Sequence, residues 1–217
     1  HFAHRAAEAL DLPLHVAKYT LKDVEAVLPT VLWLIEEPNP VNVSIATPVF
    51  WVAEQAAKLG LRLLLVGQGG DELFGGYKRY LDDYEEGGLA GLQTRLYEDV
   101  MSSHTVNFHR DSKVCAFHKL ELRLPFADWG VIELALSLPV GLKIASPKDE
   151  LRKRVLRQTA KNLAIPDFIS EKPKKAIQYT TGVNQAIKRL AKNEGLTMRE
   201  YLEDAFAKTC RELNENG

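Results

Sequence analysis

Leu61-Arg62-Leu63-Leu64-Leu65-Val66-Gly67-Gln68-Gly69-Gly70-Asp71-Glu72-Leu73-Phe74-Gly75-Gly76-Tyr77 is the stretch on which the fold turns. Residues 61–66 form a short apolar run bounded by Gly60 and Gly67. A strand buried on both faces has this pattern, and such strands belong to parallel sheets. In open α/β sheets, ligands bind beyond the carboxyl ends of the strands, which is where Gly67 begins. Glycines let the backbone approach a ligand and turn N–H groups toward an anion. Asp71 and Glu72 place carboxylates beside that cradle. A carboxylate next to phosphates needs a cation between them, usually Mg²⁺. The glycine spacing alone fits a turn with solvated acids equally well.

Upstream of this stretch, Phe2, Ala3, Ala6, Ala7 and Leu10 recur at helical spacing, and Asp11-Leu12-Pro13 stops that helix. Residues 14–19 alternate and predict a strand. Thr20, with Asp23 three residues on, predicts a capped helix running to Glu36-Glu37, where Pro38-Asn39-Pro40 breaks it. A further helix is expected to open near Thr47-Pro48, with proline in the first turn, and to stop at Gly60. Helices alternating with strands in this order argue for an α/β layered domain.

Downstream of about residue 76 no further strand is expected. Residues 89–101, 129–138, 149–163, 183–191 and 198–213 carry helical patterns, the last with Tyr201, Leu202, Ala205, Phe206, Thr209 and Leu213 on one face. The reading is therefore an α/β nucleotide-binding part over residues 1–80 and a mainly helical part over 81–217. Residues 148–175 hold nine Lys and Arg against four Asp and Glu, a local positive patch. A solvated helix flank is the alternative for such a run.

The chain has 217 residues, 28 Lys+Arg against 29 Asp+Glu and 46% hydrophobic residues. That is the balance of an ordinary globular protein, not of a disordered one. Runs such as 63–66 fall far short of the ~20 apolar residues that span a bilayer. A net charge of −1 gives no global reason to bind membrane or nucleic acid, and no aromatic-basic stripe suggests either. Cys115 and Cys210 are expected to be reduced thiols in a cytoplasmic protein. The six histidines lack the close spacing of a zinc site.

The string 66–77 closely resembles the S-G-E-G-x-D-E-x-F-G-G-Y signature of the asparagine synthetase family's synthetase domain. Five glycines, Asp71-Glu72, Phe74 and Tyr77 stand in register. Glu121-Leu122-Arg123-Leu124-Pro125-Phe126-Ala127-Asp128 resembles the family's E-x-R-x-P-F-L-D. Lys153, Leu156 and Arg157 resemble its K-x-x-L-R helix, Lys172-Pro173-Lys174-Lys175 its R-x-K loop, and Ala46-Thr47-Pro48 its S-T-P. The resemblance spans roughly residues 3–185.

It implies the adenine-nucleotide α-hydrolase-like parallel sheet of ATP pyrophosphatases. It also implies an ATP-dependent, AMP-forming amide ligase that adenylates a small carboxylate and passes it to an amine or ammonia. Val66, Gly67, Gln68, Gly69, Gly70 and Glu72 would contact the nucleotide, and Asp71 would hold Mg²⁺. Lys174 would neutralise charge on the α-phosphate and pyrophosphate, with Lys153 and Arg157 at the phosphate end. Preorganised positive charge is what drives such transfers. Glu121 could orient or deprotonate an amine; an ion pair with Arg123 or Lys119 is its alternative.

Three departures temper the ligase reading. The family's S-G-G-x-D-S ATP loop has no counterpart here, so an upstream segment or a second polypeptide is expected to supply it, with a glutaminase where glutamine is the amine donor. Gln68 replaces the signature Glu, and an amide cannot act as a base. The stretch Val41-Asn42-Val43-Ser44 has Ser44 where asparagine synthetases place Arg, so aspartate is not assured as the acyl substrate. A nucleotide-binding subunit without its own turnover is the competing reading.

Overall fold

Helix caps set much of the architecture. In the computed structural model, which describes residues 2–215 apart from the side chains of Val106 and residues 213–215, the described chain is mostly helical with a two-strand parallel sheet. The Thr20 hydroxyl accepts from the Asp23 N–H while the Asp23 carboxylate accepts from the Thr20 N–H, completing the expected capping box of helix Leu21–Ile35. The next helix begins earlier than expected, at Pro40, and runs to Lys58. The Asn39 side chain caps it, accepting from the N–H groups of Val41 and Asn42. Pro38-Asn39-Pro40 is thus both a stop and a start, because a proline at the first helical position lacks only an N–H that would be orphaned anyway. Pro48 lies inside this helix, where the Ser44 and Thr47 hydroxyls donate to the carbonyls of Pro40 and Val43.

The apolar run at 61–66 supplies strand β1, Leu63–Leu65. It pairs in parallel with β2, Glu121–Arg123, in the register Leu64 opposite Leu122. Two expectations are corrected here. Residues 14–19 form no strand; alternation predicts one only where a ladder partner exists, and none pairs with them among the described residues. Conversely, β2 falls in the half expected to be helical, because three residues are too few to show a period. The strand β1 is also not buried on both faces: Leu64 packs with Ala53, Ala56, Cys115, Leu120 and Leu122, whereas Leu63 and Leu65 are exposed.

The chain divides into two compact units. One comprises Ala17–Leu65, Thr105–Arg123 and the chain from Lys175 onward. Its core joins Val24, Leu28, Val31 and Leu32 to Val43, Phe50, Val114, Ile187, Leu190 and Leu202. Helices Val183–Asn193 and Met198–Glu215 form where the periodicity put them; the side chain of Leu213 lies outside the described residues. Cys115 is buried here and free, and burial, then the Asp111 charge, pushes its thiol up to about 11.

The other unit comprises the chain as far as Val16, then Val66–His104 and Leu124–Lys174. It has two smaller apolar clusters. Tyr80, Leu81, Leu92, Leu96, Val140 and Ile144 form one; Leu73, Phe74 and Ala135, backed by Phe126, Val155 and Leu156, form the other. Helix Arg79–Ser103 is interrupted at Gly88, whose φ is +61°. The helix expected over 149–163 begins only at Arg154 and ends at Asn162. The Asp149 carboxylate ties the loop before it, accepting from the N–H groups of Ala145 and Arg152. No helix among the described residues is long and apolar enough to cross a membrane.

Candidate functional site

The signature loop folds around one turn of helix. After β1 the chain passes Val66, Gly67 and Gln68, and Gly69 turns it with a φ of +90° into helix Gly70–Phe74. Gly75, at φ +72°, ends that helix, and a Cβ there would lie 2.8 Å from the Ile144 side chain. A side chain on Gly70 would press on the Phe126 ring at 3.2 Å. Gly67 is exposed, and Val66 and Gln68 are half-buried. Leu73 and Phe74 anchor the turn in the second apolar cluster, so the loop's polar residues are held from beneath.

Gly76 is the position where the backbone comes nearest to the charged groups. A Cβ there would stand 1.9 Å from Asp71 Oδ1 and 2.3 Å from Lys153 Cε. Only hydrogen leaves room for what is found: Lys153 Nζ is 2.7 Å from Asp71 Oδ1, and Lys174 Nζ is 3.4 Å from Asp71 Oδ2. Three of the residues singled out from sequence therefore meet at one point. One carboxylate faces two ammonium groups, so it cannot neutralise both. The surplus positive charge is what an anion would meet.

The neighbours hold this arrangement in place. Lys174 Nζ also stands 4.7 Å from the centroid of the Tyr77 ring, and the Arg79 guanidinium stands 4.3 Å from it. The Tyr77 hydroxyl donates to Glu72 Oε1 at 2.6 Å. Burial, then the Glu72 charge and hydrogen bond, raise that phenol far above its ordinary range, so it remains a donor. Glu72 itself is buried, at 3% exposure, and orients Tyr77.

Lys153 is held by backbone geometry that the sequence does not announce. Arg152 and Lys153 have φ of +51° and +50°. A left-handed conformation in such residues costs of order 1 kcal/mol or more each. Buried Arg152 donates from Nε to the Gly76 carbonyl at 3.1 Å, fixing the pair against the signature loop. Arg157 donates to the carbonyls of Leu151 and Arg152, and across to those of Ser170 and Lys172. Its guanidinium thus braces the segment that carries Lys174 to the one that carries Lys153. Burial, then the Arg152 charge, lowers its pKa from the ordinary value.

Glu121 lies in the other unit, on β2, with Oε1 2.6 Å from Arg123 Nη2 and 58% of its side chain exposed. The ion pair with Arg123 that the sequence offered is the arrangement found. Among the described residues no group of three or more His, Cys, Asp or Glu could cage a metal ion. Asp71 offers a single carboxylate, which fits Mg²⁺ only in the manner of a nucleotide-bound ion, where phosphate and water complete the octahedron. Sequence reasoning left Tyr77 and Arg152 without site roles. Tyr77 stood within the signature, and Asp149, three residues before Arg152, was the one local sign of a clamped loop.

Comparison with known proteins identifies the family. The family model for asparagine synthase matches residues 1–216. A Methanocaldococcus jannaschii protein provisionally named asparagine synthetase (glutamine-hydrolyzing) 1 is 32% identical over 93% of this chain and 42% of its own length. Asparagine synthetase (glutamine-hydrolyzing) 1 of Saccharomyces cerevisiae is 25% identical over 83% of the chain and 32% of its own length. A mouse protein, asparagine synthetase domain-containing protein 1, is 33% identical over 59% of the chain. The chain thus spans less than half the length of these curated relatives.

Proposed function

The chain belongs to the asparagine synthase family, and from that premise we propose that it carries the pyrophosphate-binding part of an ATP-dependent, AMP-forming amide ligase. The observation that carries this reading is the meeting of Lys153 and Lys174 on Asp71, with Gly76 making room. In the structure both lysines share the single Asp71 carboxylate. Lys153 and Lys174 would hold the phosphates of ATP, and Asp71 would be the residue to hold Mg²⁺. That ion would supply charge neutralisation at the phosphates.

The work of this chain's own residues follows. Lys174 and Lys153 bind the β- and γ-phosphates and hold the developing negative charge of the leaving pyrophosphate. Tyr77 keeps Lys174 against its ring. Arg157 and Arg152 are positioning residues that fix the two lysine-bearing segments. The backbone of Val66, Gly67, Gln68, Gly69 and Gly70 lines the nucleotide. A small carboxylate is the acyl partner and an amine or ammonia the acceptor, and a complete enzyme would draw its ATP loop from another segment or chain. In this reading β1 and β2 belong to a larger adenine-nucleotide α-hydrolase-like sheet, which would cover the exposed Leu63 and Leu65.

The test is whether the protein forms AMP and pyrophosphate from ATP only when a carboxylate and ammonia are both present. Lys174→Ala is expected to lower that rate about 100-fold or more, as loss of one transition-state charge contact does. A second reading, a nucleotide-binding subunit without turnover, is favoured by the ion pair of Glu121 Oε1 with Arg123, which engages the carboxylate expected to act on an amine. It expects binding of pyrophosphate with no AMP formed under any combination of substrates.

A further inference from the structure

Lys143 is a lysine with its charge in the wrong place. It follows the turn Val140–Leu142, donates its N–H to the Val140 carbonyl and receives the Arg154 N–H on its own carbonyl. Its backbone is thereby fixed, and the residue is only 3% exposed. Among the described residues its side chain forms no ion pair or hydrogen bond. Most of the side chain is taken out of water, which disfavours its charged form. Burial alone draws its pKa down to about 8, with no charged neighbour acting on it.

The side chain lines a cavity of about 100 Å³. Leu96, Leu136, Leu138 and Val140 supply its apolar wall, and Gln93 and Tyr97 stand at the exposed side. We propose that this cavity, with Lys143 at its wall, is a binding site for a small aliphatic monocarboxylate. One positive group in an apolar lining calls for one negative charge; a phosphate dianion would bring a second charge with nothing to meet it. The leucine and valine wall calls for a short hydrocarbon tail. A cavity of about 100 Å³ is too small for a nucleotide. The position adds interest, since the Cβ of Lys143 lies 3.8 Å from where one on Gly75 would stand, at the end of the signature helix. None of the residues that line the cavity belongs to the cluster of Asp71, Lys153 and Lys174, so butyrate protection can be read separately from pyrophosphate binding.

The experiment reads the reactivity of Lys143 itself. The full chain is reductively methylated with formaldehyde and cyanoborohydride near neutral pH, and labelling is followed peptide by peptide with butyrate, butyramide or inorganic phosphate present. Saturating butyrate is expected to slow labelling of Lys143 about tenfold, with the other lysines unchanged, and neither butyramide nor phosphate should do so. Leu136→Phe, which fills the cavity, should abolish the protection while Lys143 still labels. As a second measurement, butyrate should raise the Tm of the unmodified chain and leave that of Lys143→Met unmoved. Absence of protection by butyrate, equal protection by butyramide or phosphate, or protection that survives Leu136→Phe would each overturn the proposal.

Discussion

The two units are built on different principles. The unit with Ala17–Leu65 holds the largest apolar core, in which Val31, Leu32, Val43, Ala46, Ile187 and Leu202 have no measurable exposure, beside a smaller cluster around Cys115 and Leu120. Its helices are closed by ordinary caps at Thr20 and Asn39. The unit with the signature loop has two smaller clusters, an ammonium pair on one carboxylate, and a largely buried lysine with no ion-pair partner among the described residues. Backbone conformation shows the same contrast. Glu36 and Lys119, left-handed in the first unit, both sit at helix ends, where that conformation is commonplace. Arg152 and Lys153 are left-handed as a pair at a helix start. Strain of that kind persists where surrounding contacts over-determine it, and here those contacts are the ones that aim Lys153 at Asp71.

Four substitutions sharpen or break that contrast. The largest effect is expected from Leu32→Ala in the apolar core, about 3–4 kcal/mol of stability by chemical denaturation. Affinity for pyrophosphate should be unchanged under conditions where the variant is folded; a parallel loss of affinity would blur the division. Next is Lys143→Met. The folded chain holds this proton less tightly than the unfolded chain, in which the lysine titrates near 10.5, so Lys143 costs most below pH 8 and the cost fades as pH rises toward 10.5. The variant should therefore gain about 2–3 kcal/mol near neutral pH and lose that advantage in alkali. A variant less stable than the parent at neutral pH would contradict the assignment.

Gly76→Ala comes third in stability, about 1–3 kcal/mol for overpacking, but its effect on pyrophosphate binding should be the most severe. The added methyl group collides with Asp71 and Lys153. Retained affinity in that variant would mean the cluster is not the binding element. Smallest is Thr20→Ala, expected to cost about 1 kcal/mol through loss of the capping box, with no change in ligand binding.

Much of this was legible in the sequence, and unevenly. Thr20 with Asp23 declared the cap because capping is local chemistry three residues long. The glycine-rich stretch after an apolar run declared the candidate site, and the downstream Lys153 and Lys174 could be named because the family resemblance placed them. Strand β2 escaped because Glu121–Arg123 acquires its structure from pairing with β1, which is 56 or more residues away. Residues 14–19 show the converse failure, a local alternation with no partner to use it. The brace made by Arg157 was also hidden, since its acceptors are backbone carbonyls of Ser170 and Lys172, whose positions no residue type encodes. Lys143 gave no signal at all, because burial is a property of the packed helices around it.

The most direct measurement is calorimetric titration of the full chain with inorganic pyrophosphate and Mg²⁺, repeated on Lys153→Ala and Lys174→Ala. If the two lysines and Asp71 form the pyrophosphate site, the parent chain binds, and each variant binds about tenfold or more weakly, the worth of one charge-assisted contact. Binding that is absent from the parent chain, or unaltered by both substitutions, would contradict the central claim.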